Sequence, residues 1–209
     1  MPKNQPFNEY SLEYDSWFDT NKIVYESELK IIQEQMPKKG QGLEVGVGSG
    51  RFAAPLLIPF GLEPSVQMSR IARDRGITVV GGVAEKMPFK NCNFNFVLMV
   101  TTICFLDDVE SAFKESFRTL KPKGCFIVGF IDKNSVVGRS YQQHKNESKF
   151  YKDAVFYSVD EVICFLRNAG FHKMTFKQTI FQDTQIIKSL EPIKNGYGEG
   201  SFVVVKAMK

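Results

Sequence analysis

Cysteine, histidine and tryptophan are scarce in this chain: four, two and one among 209 residues. Cys92, Cys104, Cys125 and Cys164 form no CxxC pair. With so few histidines beside them, this argues against a structural zinc site, and no metal is expected. Reduced thiols in a cytoplasmic protein are the default for such spacing. No stretch approaches ~18 uninterrupted apolar residues, so no membrane span is expected. The segment from Met1 to Tyr10 has no apolar h-region and does not read as a signal peptide. No five like charges adjoin, and 27 basic residues are scattered among 23 acidic ones for a net charge of +4. A balance of that kind points to a solvated surface rather than to nucleic acid. Repeats and low-complexity tracts are missing too.

What is present suits one globular domain over residues 1–209. Hydrophobic residues make up 43% and charged residues 24%. A chain of this length buries about 70% of its unfolded surface. Strand-like and helix-like segments alternate, the pattern of a parallel sheet covered by helices. Residues Lys22 to Gln35 read as an amphipathic helix ending before Pro37. Gly42 to Val47 reads as a strand, Arg51 to Ile58 as a short helix stopped by Pro59, and Phe60 to Glu63 as a second strand. Val66 to Arg75 reads as a helix closed by Gly76, and Ile77 to Val80 as a third strand. Asn95 to Ile103 has almost no polar residues, as a strand buried on both faces requires. Val109 to Leu120 is helix-like and Cys125 to Ile131 strand-like. Ser158 and Glu161 form a capping box for a helix running to Ala169. Met174 to Phe181 and Phe202 to Ala207 complete the strands. Residues Asn134 to Tyr157 interrupt the rhythm with a polar, aromatic excursion longer than ordinary connections.

The chemistry concentrates after the first strand. Gly46, Gly48 and Gly50 sit between a strand and a helix, where glycine permits a sharp turn and close backbone approach to a ligand. A dinucleotide fingerprint needs a further glycine at the position held by Arg51, which argues against a nicotinamide-dependent oxidoreductase. Glu44 precedes the glycines. Glu63 lies 63 − 44 = 19 positions later, at the end of the second strand. A carboxylate there can accept both hydroxyls of a ribose. The other reading is a solvated turn glutamate before Pro64.

Five elements in family order, Glu63 the second of them, and an N-terminal segment carry a family resemblance. Leu43-Glu44-Val45-Gly46-Val47-Gly48-Ser49-Gly50, Gly82 to Phe89, Phe94 to Val100 running into Thr101, Thr102 and Ile103, and Leu120 to Gly124 resemble, in order, motifs of class I S-adenosylmethionine methyltransferases. Tyr14-Asp15-Ser16-Trp17-Phe18 resembles the N-terminal YDxWF segment of small-molecule members. The resemblance implies a Rossmann-like three-layer α/β sandwich with a seven-stranded, mostly parallel sheet whose last strand is antiparallel. It implies S-adenosyl-L-methionine as cofactor, held by Tyr14, Glu44, Gly46, Gly48, Gly50, Glu63, Pro64, Ala84, Glu85, Thr101 and Thr102. Three places depart from the family pattern, one of them the short segment from Gly50 to Glu63, which implies a helix about one turn shorter than usual after the glycine loop. Val83 stands where many members carry an adenine-binding aspartate, which shifts that role to backbone near Ala84 and Glu85. Asn95 replaces a frequent aspartate.

The substrate end is less marked. Residues 1–36 read as an N-terminal helical lid and 134–157 as an inserted cap. Tyr10, Trp17 and Phe18 are candidates there, as aromatic walls or as plain packing, with His144 in the excursion. Tyr197 and Glu199, between glycines in Gly196 to Gly200, would flank the site if the last strand is antiparallel, or belong to a hairpin turn. No residue is identified as a general base. The expected reaction is in-line methyl transfer to a small-molecule acceptor, driven by orientation and desolvation. The alternative is a non-catalytic cofactor-binding module or scaffold. Acceptor atom and oligomeric state stay open.

Overall fold

The computed structural model describes residues 4–209, so the first three positions of the expected lid lie outside the described residues. Three helices lead the chain: α1 (Gln5–Glu9), α2 (Ser11–Thr20) and α3 (Lys22–Gln35). The strands are β1 (Gly42–Val45), β2 (Phe60–Glu63), β3 (Thr78–Gly81), β4 (Phe94–Val100), β5 (Leu120–Ile131), β6 (His172–Thr179), β7 (Lys194–Asn195) and β8 (Phe202–Met208). Between them run α4 (Val66–Asp74), α5 (Val109–Thr119), α6 (Val136–His144) and α7 (Val159–Asn168).

The strands form one sheet in the order β3-β2-β1-β4-β5-β8-β6-β7. β1 to β5 pair in parallel, and β8 runs antiparallel to both β5 and β6. The sheet thus has eight strands rather than the expected seven. The addition is β7, a two-residue strand on the edge of β6.

Alternation along β4 builds two cores. Val97 and Met99 face one side with Phe113 of α5 and Val162 and Leu166 of α7. Phe96, Leu98 and Val100 face the other with Ile31 and Ile32 of α3 and Ala72 of α4. Successive strand side chains point to opposite faces, so a strand apolar throughout must be covered twice. The outcome is a Rossmann-like three-layer sandwich. The capping box on α7 forms as expected, with both Ser158 and Glu161 engaged.

Four further expectations change. β5 begins at Leu120 rather than at Cys125. Residues Arg51 to Ile58 do not form a regular helix but a series of turns. Pro55 has no N–H to donate to the Arg51 carbonyl, which accepts instead from the Tyr25 hydroxyl. The strand expected to reach Ile103 stops at Val100, because Thr101 takes a left-handed φ of 46°. The excursion after β5 contains a nine-residue helix, α6, capped by the Ser135 side chain on the Gly138 N–H.

The chain leaves β1 toward β2 and β3 and then returns to place β4 on the opposite side of β1. This switch point leaves a crevice beyond the C-terminal ends of β1 and β4, the usual ligand position in open α/β sheets.

Candidate functional site

A cleft occupies that crevice. It encloses about 730 Å³ including its open mouth, room for a nucleoside-sized ligand. Its floor is the loop after β1. The N–H groups of Gly46 and Val47 both donate to the Leu62 carbonyl, at 2.8 and 3.1 Å, which bends the chain back over β2.

The three glycines serve different ends, although all have positive φ. A Cβ on Gly46 would meet Thr102 Cγ2 at 2.4 Å, and one on Gly50 would meet Ile77 Cδ1 at 2.5 Å. Both are packing positions. A Cβ on Gly48 would have nothing within 4 Å. Gly48 is therefore a bare backbone position bordering the cleft, a cradle that a side chain would fill.

Glu63 lies beside it. Its carboxylate is buried and accepts from the N–H of Gly48 and of Ser65, each at 2.9 Å. Burial pushes its pKa up to about 7 against the pull of those two donors. Each oxygen keeps a further acceptor position, so the pair suits a vicinal diol. Apolar walls complete the cleft: Leu62, Met68, Val83, Phe7, Phe105 and Leu106. An acidic anchor, a Cβ-free cradle and flat apolar walls fit an adenosine-type ligand.

Of the residues expected from the sequence, Tyr14, Gly46, Gly48, Glu63, Pro64, Ala84, Glu85, Thr101 and Thr102 line this cleft. The Glu85 carboxylate is turned to the backbone N–H of Asp107 and Asp108, leaving the backbone near Ala84 as the polar surface there. Gly50 and Glu44 stand behind the loop. Glu44 is buried, its Oε2 has no hydrogen-bond partner among the described residues, and burial raises its pKa well above the usual carboxylate range. Asn4, Phe7, Met68 and Phe105 were not singled out from the sequence. Phe7 rides on α1, a helix of five residues that shows no periodicity to read.

Arg51 acts in a way its spacing did not reveal. It forms ion pairs with Asp15 at 2.9 Å and Asp19 at 2.7 Å, and Arg75 grips Asp15 at 2.8 Å from the other side. Arg75 also donates to the Ser49 carbonyl at 2.6 Å. Burial opposes ionisation of Asp15, but the two guanidinium groups hold its carboxyl well below the usual range. This cluster fastens α2 to the glycine loop and so sets the position of Tyr14 over the cleft.

A second cavity, about 890 Å³ including its open mouth, lies on the other side of Tyr14 and Thr101, which border both spaces. Trp17 and Phe18 line it, with Tyr141, Phe150 and Tyr151 from the 134–157 segment. So does Glu28 of α3, which was not singled out from the sequence. Its signal was legible: Glu28 falls four residues after Val24 and four before Ile32, on the buried face of the helix. It is 5% exposed, and no hydrogen bond or ion pair reaches its carboxylate among the described residues. Burial raises its pKa to about 8.

The remaining candidates lie outside both cavities. Tyr10 sits under the Lys149 ammonium, 4.6 Å from its ring. His144 is exposed at the end of α6, with Nδ1 2.9 Å from the Ser140 carbonyl. The start of β8 does share the edge where β5 ends, as the antiparallel geometry requires, since Phe202 pairs with Ile131. Yet the turn before it folds outward: Tyr197 packs on Phe176 of β6, and Glu199 pairs with Lys194 of β7.

Comparisons with known proteins place this geometry. Residues 43–128 match the methyltransferase domain family. A crystal structure of an S-adenosylmethionine-dependent methyltransferase from Thermotoga maritima, described as a possible histamine N-methyltransferase, is 46% identical with a TM-score of 0.96, covering 99% of each chain. An uncharacterized protein of Methanocaldococcus jannaschii is 44% identical over 97% of this chain and 98% of its own. The demethylmenaquinone methyltransferase of Chlorobaculum tepidum is 32% identical over 66% of this chain and 70% of its own.

Proposed function

The chain belongs to the S-adenosylmethionine-dependent methyltransferases, and from that premise we propose that it methylates a small-molecule acceptor, with the cleft beyond β1 and β4 as its cofactor site. The observation that carries the assignment of the cleft is Glu63, a buried carboxylate locked by two backbone donors beside the side-chain-free Gly48. Its free acceptor positions take the ribose hydroxyls. Backbone near Ala84 and the apolar walls take the adenine, and Gly46 and Gly48 let the remainder lie against the loop.

When bound, the cofactor supplies a methyl group already activated by the sulfonium. The protein's work is then alignment and exclusion of water, and orientation alone can contribute on the order of 7–11 kcal/mol. Residues of α1 and α2 close over the cleft as a lid, whereas α3 packs on the sheet: Asn4, just before α1, donates to the Pro64 carbonyl at 3.3 Å, and Phe7 packs on Tyr14 and Phe105. The 134–157 segment acts as a cap, its Lys149 tied to Glu13 of α2 at 2.9 Å. The space left between lid and cap is a cavity of about 890 Å³ including its open mouth, a size that supports a small-molecule acceptor. The possible histamine acceptor named for the Thermotoga maritima protein is a molecule of that size.

Titration calorimetry with S-adenosylmethionine tests the assignment. The wild type gives a saturable heat. Glu63→Ala weakens binding more than tenfold, because it leaves the ribose hydroxyls unpaired. No heat at high micromolar concentration from folded protein, or an unchanged affinity in the variant, would overturn it.

A further inference from the structure

The second cavity has an unusual composition for its degree of enclosure. Its polar side chains are two carboxylates, Glu13 and Glu28, together with hydroxyls, one amide and the Trp17 indole N–H, and among the described residues no lysine, arginine or histidine lines it. Glu13 is already paired with Lys149 at the rim. Glu28 is not paired, although a carboxylate removed from water is costly unless a cation or donors meet it. Around it stand aromatic rings. Tyr141 and Tyr151 stack at 5.2 Å, Tyr14 packs on Phe150 at 5.2 Å, and Trp17 packs on Phe18 at 5.3 Å. Ring faces and a lone carboxylate are the two groups that recognise an organic ammonium. They repel anions, and a neutral guest gains no charge pairing from them.

We infer that this cavity is the acceptor site and that it takes a small organic amine, whose ammonium Glu28 holds and deprotonates across the Tyr14–Thr101 partition from the cofactor cleft. The assignment rests on the methyl-transfer reading above. Thr101 and Tyr14 border both spaces, so the shortest path between a methyl group in the first and a nitrogen in the second runs past them. The strained backbone of Thr101 lies at that partition.

The step balances. The incoming ammonium gives one proton to the Glu28 carboxylate and so exposes the nitrogen lone pair. A nitrogen–carbon bond forms to the methyl group as the sulfur–carbon bond breaks, and the sulfonium becomes a neutral thioether. The nitrogen carries the positive charge away as the methylated ammonium, and Glu28 returns its proton to solvent through the open mouth. Burial places Glu28 near pH 8, where a base takes and releases protons at neutral pH. Tyr14, Tyr141 and Tyr151, whose pKa values are all raised with burial as the leading cause, stay neutral in that range.

Trp17 is the single tryptophan of the chain and lines the cavity, so its fluorescence reports occupancy. The test uses the full chain and matched pairs that differ only in the head group: phenylethylamine and phenylethanol, tryptamine and tryptophol, butylamine and butanol. Tryptamine and tryptophol are read by calorimetry, since they fluoresce themselves. At least one amine binds tenfold or more tightly than its alcohol. Glu28→Gln removes that preference while leaving the alcohol and the S-adenosylmethionine affinity as in wild type. With labelled cofactor, the preferred amine gains one methyl group on nitrogen. If no pair separates by threefold, or if Glu28→Gln keeps the preference, the inference fails. Cofactor binding measured on the same samples tells that failure from a failure of the methyltransferase site. Should Glu28→Gln not fold, the amine-to-alcohol ratio of the wild type decides alone.

Discussion

Glu28 also makes a prediction that needs no ligand. An unfolded chain ionises this carboxyl at the ordinary value of 4.5, whereas the folded protein ionises it at about 8. Between those values the folded state holds a proton that the unfolded state has lost. Stability therefore falls as pH rises through that window: the contribution is whole below about pH 4.5 and gone above about pH 8. The interval is worth on the order of 3–5 kcal/mol, taking ~1.4 kcal/mol per pH unit and allowing for water at the cavity mouth. Glu28→Gln imitates the protonated side chain in shape and hydrogen bonding but never ionises. Urea unfolding of both proteins from about pH 5 to pH 9 gives the difference curve. The two are expected to match near pH 5, and the variant to be the more stable by about 3 kcal/mol or more near pH 9. Glu63 and Glu44, whose pKa values are also raised by burial, add slopes of the same sign to both curves and cancel in the difference. Parallel curves across the range would refute the claim that Glu28 is buried without a partner.

The glycine loop supplies a contrasting pair. Gly48→Ala meets no atom within 4 Å, so it costs only the left-handed φ of 54°, about 1 kcal/mol, yet lowers S-adenosylmethionine affinity at least tenfold in calorimetry. Gly46→Ala forces its Cβ to 2.4 Å from Thr102 and lowers stability by about 2–3 kcal/mol in urea. Equal stability loss in the two variants would contradict this division. Asp15→Asn leaves Arg51 and Arg75 without their shared carboxylate; it costs about 2 kcal/mol and weakens cofactor binding through the loosened α2, and an unchanged urea midpoint would show the cluster to be idle. Tyr25→Phe removes the donor that replaces the missing N–H of Pro55 and costs about 1 kcal/mol, with no loss expected if solvent already serves Arg51.

The central sheet was legible because its signals are local. The apolar run from Phe94 to Val100 could only be a strand covered on both faces, and the strand-glycine-loop order around Gly46 placed the cleft. Features set by a single backbone angle or by a distant partner were not legible in that way. Thr101 ends β4 by taking a left-handed φ that no propensity for threonine suggests. The turns from Arg51 to Leu57 look helical by apolar spacing, and only Pro55 and the distant Tyr25 decide otherwise. Tyr197 and Glu199 had the right edge of the sheet but the wrong direction, because the turn packs back on Phe176. Glu28 was the opposite case. Helical spacing put a carboxylate on an apolar face in plain view, a pattern that counts as more than surface charge.

That pattern bears on how the two cavities came to share a wall. The ring contacts that hold Tyr14 come from outside the sheet, from Phe7 on α1, Phe18 on α2 and Phe150 on the cap, with the Asp15 cluster one residue away; its side-chain hydrogen bond to Thr101 ties it to the end of β4. The sheet fixes Thr101 instead, through its N–H on the Gly129 carbonyl at 2.8 Å. The partition thus has one rigid half and one half that depends on lid and cap packing together. A movement of the cap against α2 would change the opening between the spaces, because Phe150 packs on Tyr14, while the Asp15 cluster keeps α2 on the glycine loop. Cap position would then gate the reaction while leaving cofactor affinity nearly constant. Shortening the Lys149–Glu13 tie through Glu13→Asp separates the two: methyl transfer to the preferred amine falls several-fold and S-adenosylmethionine binding does not, whereas equal losses in both would place cap and cofactor site in one unit.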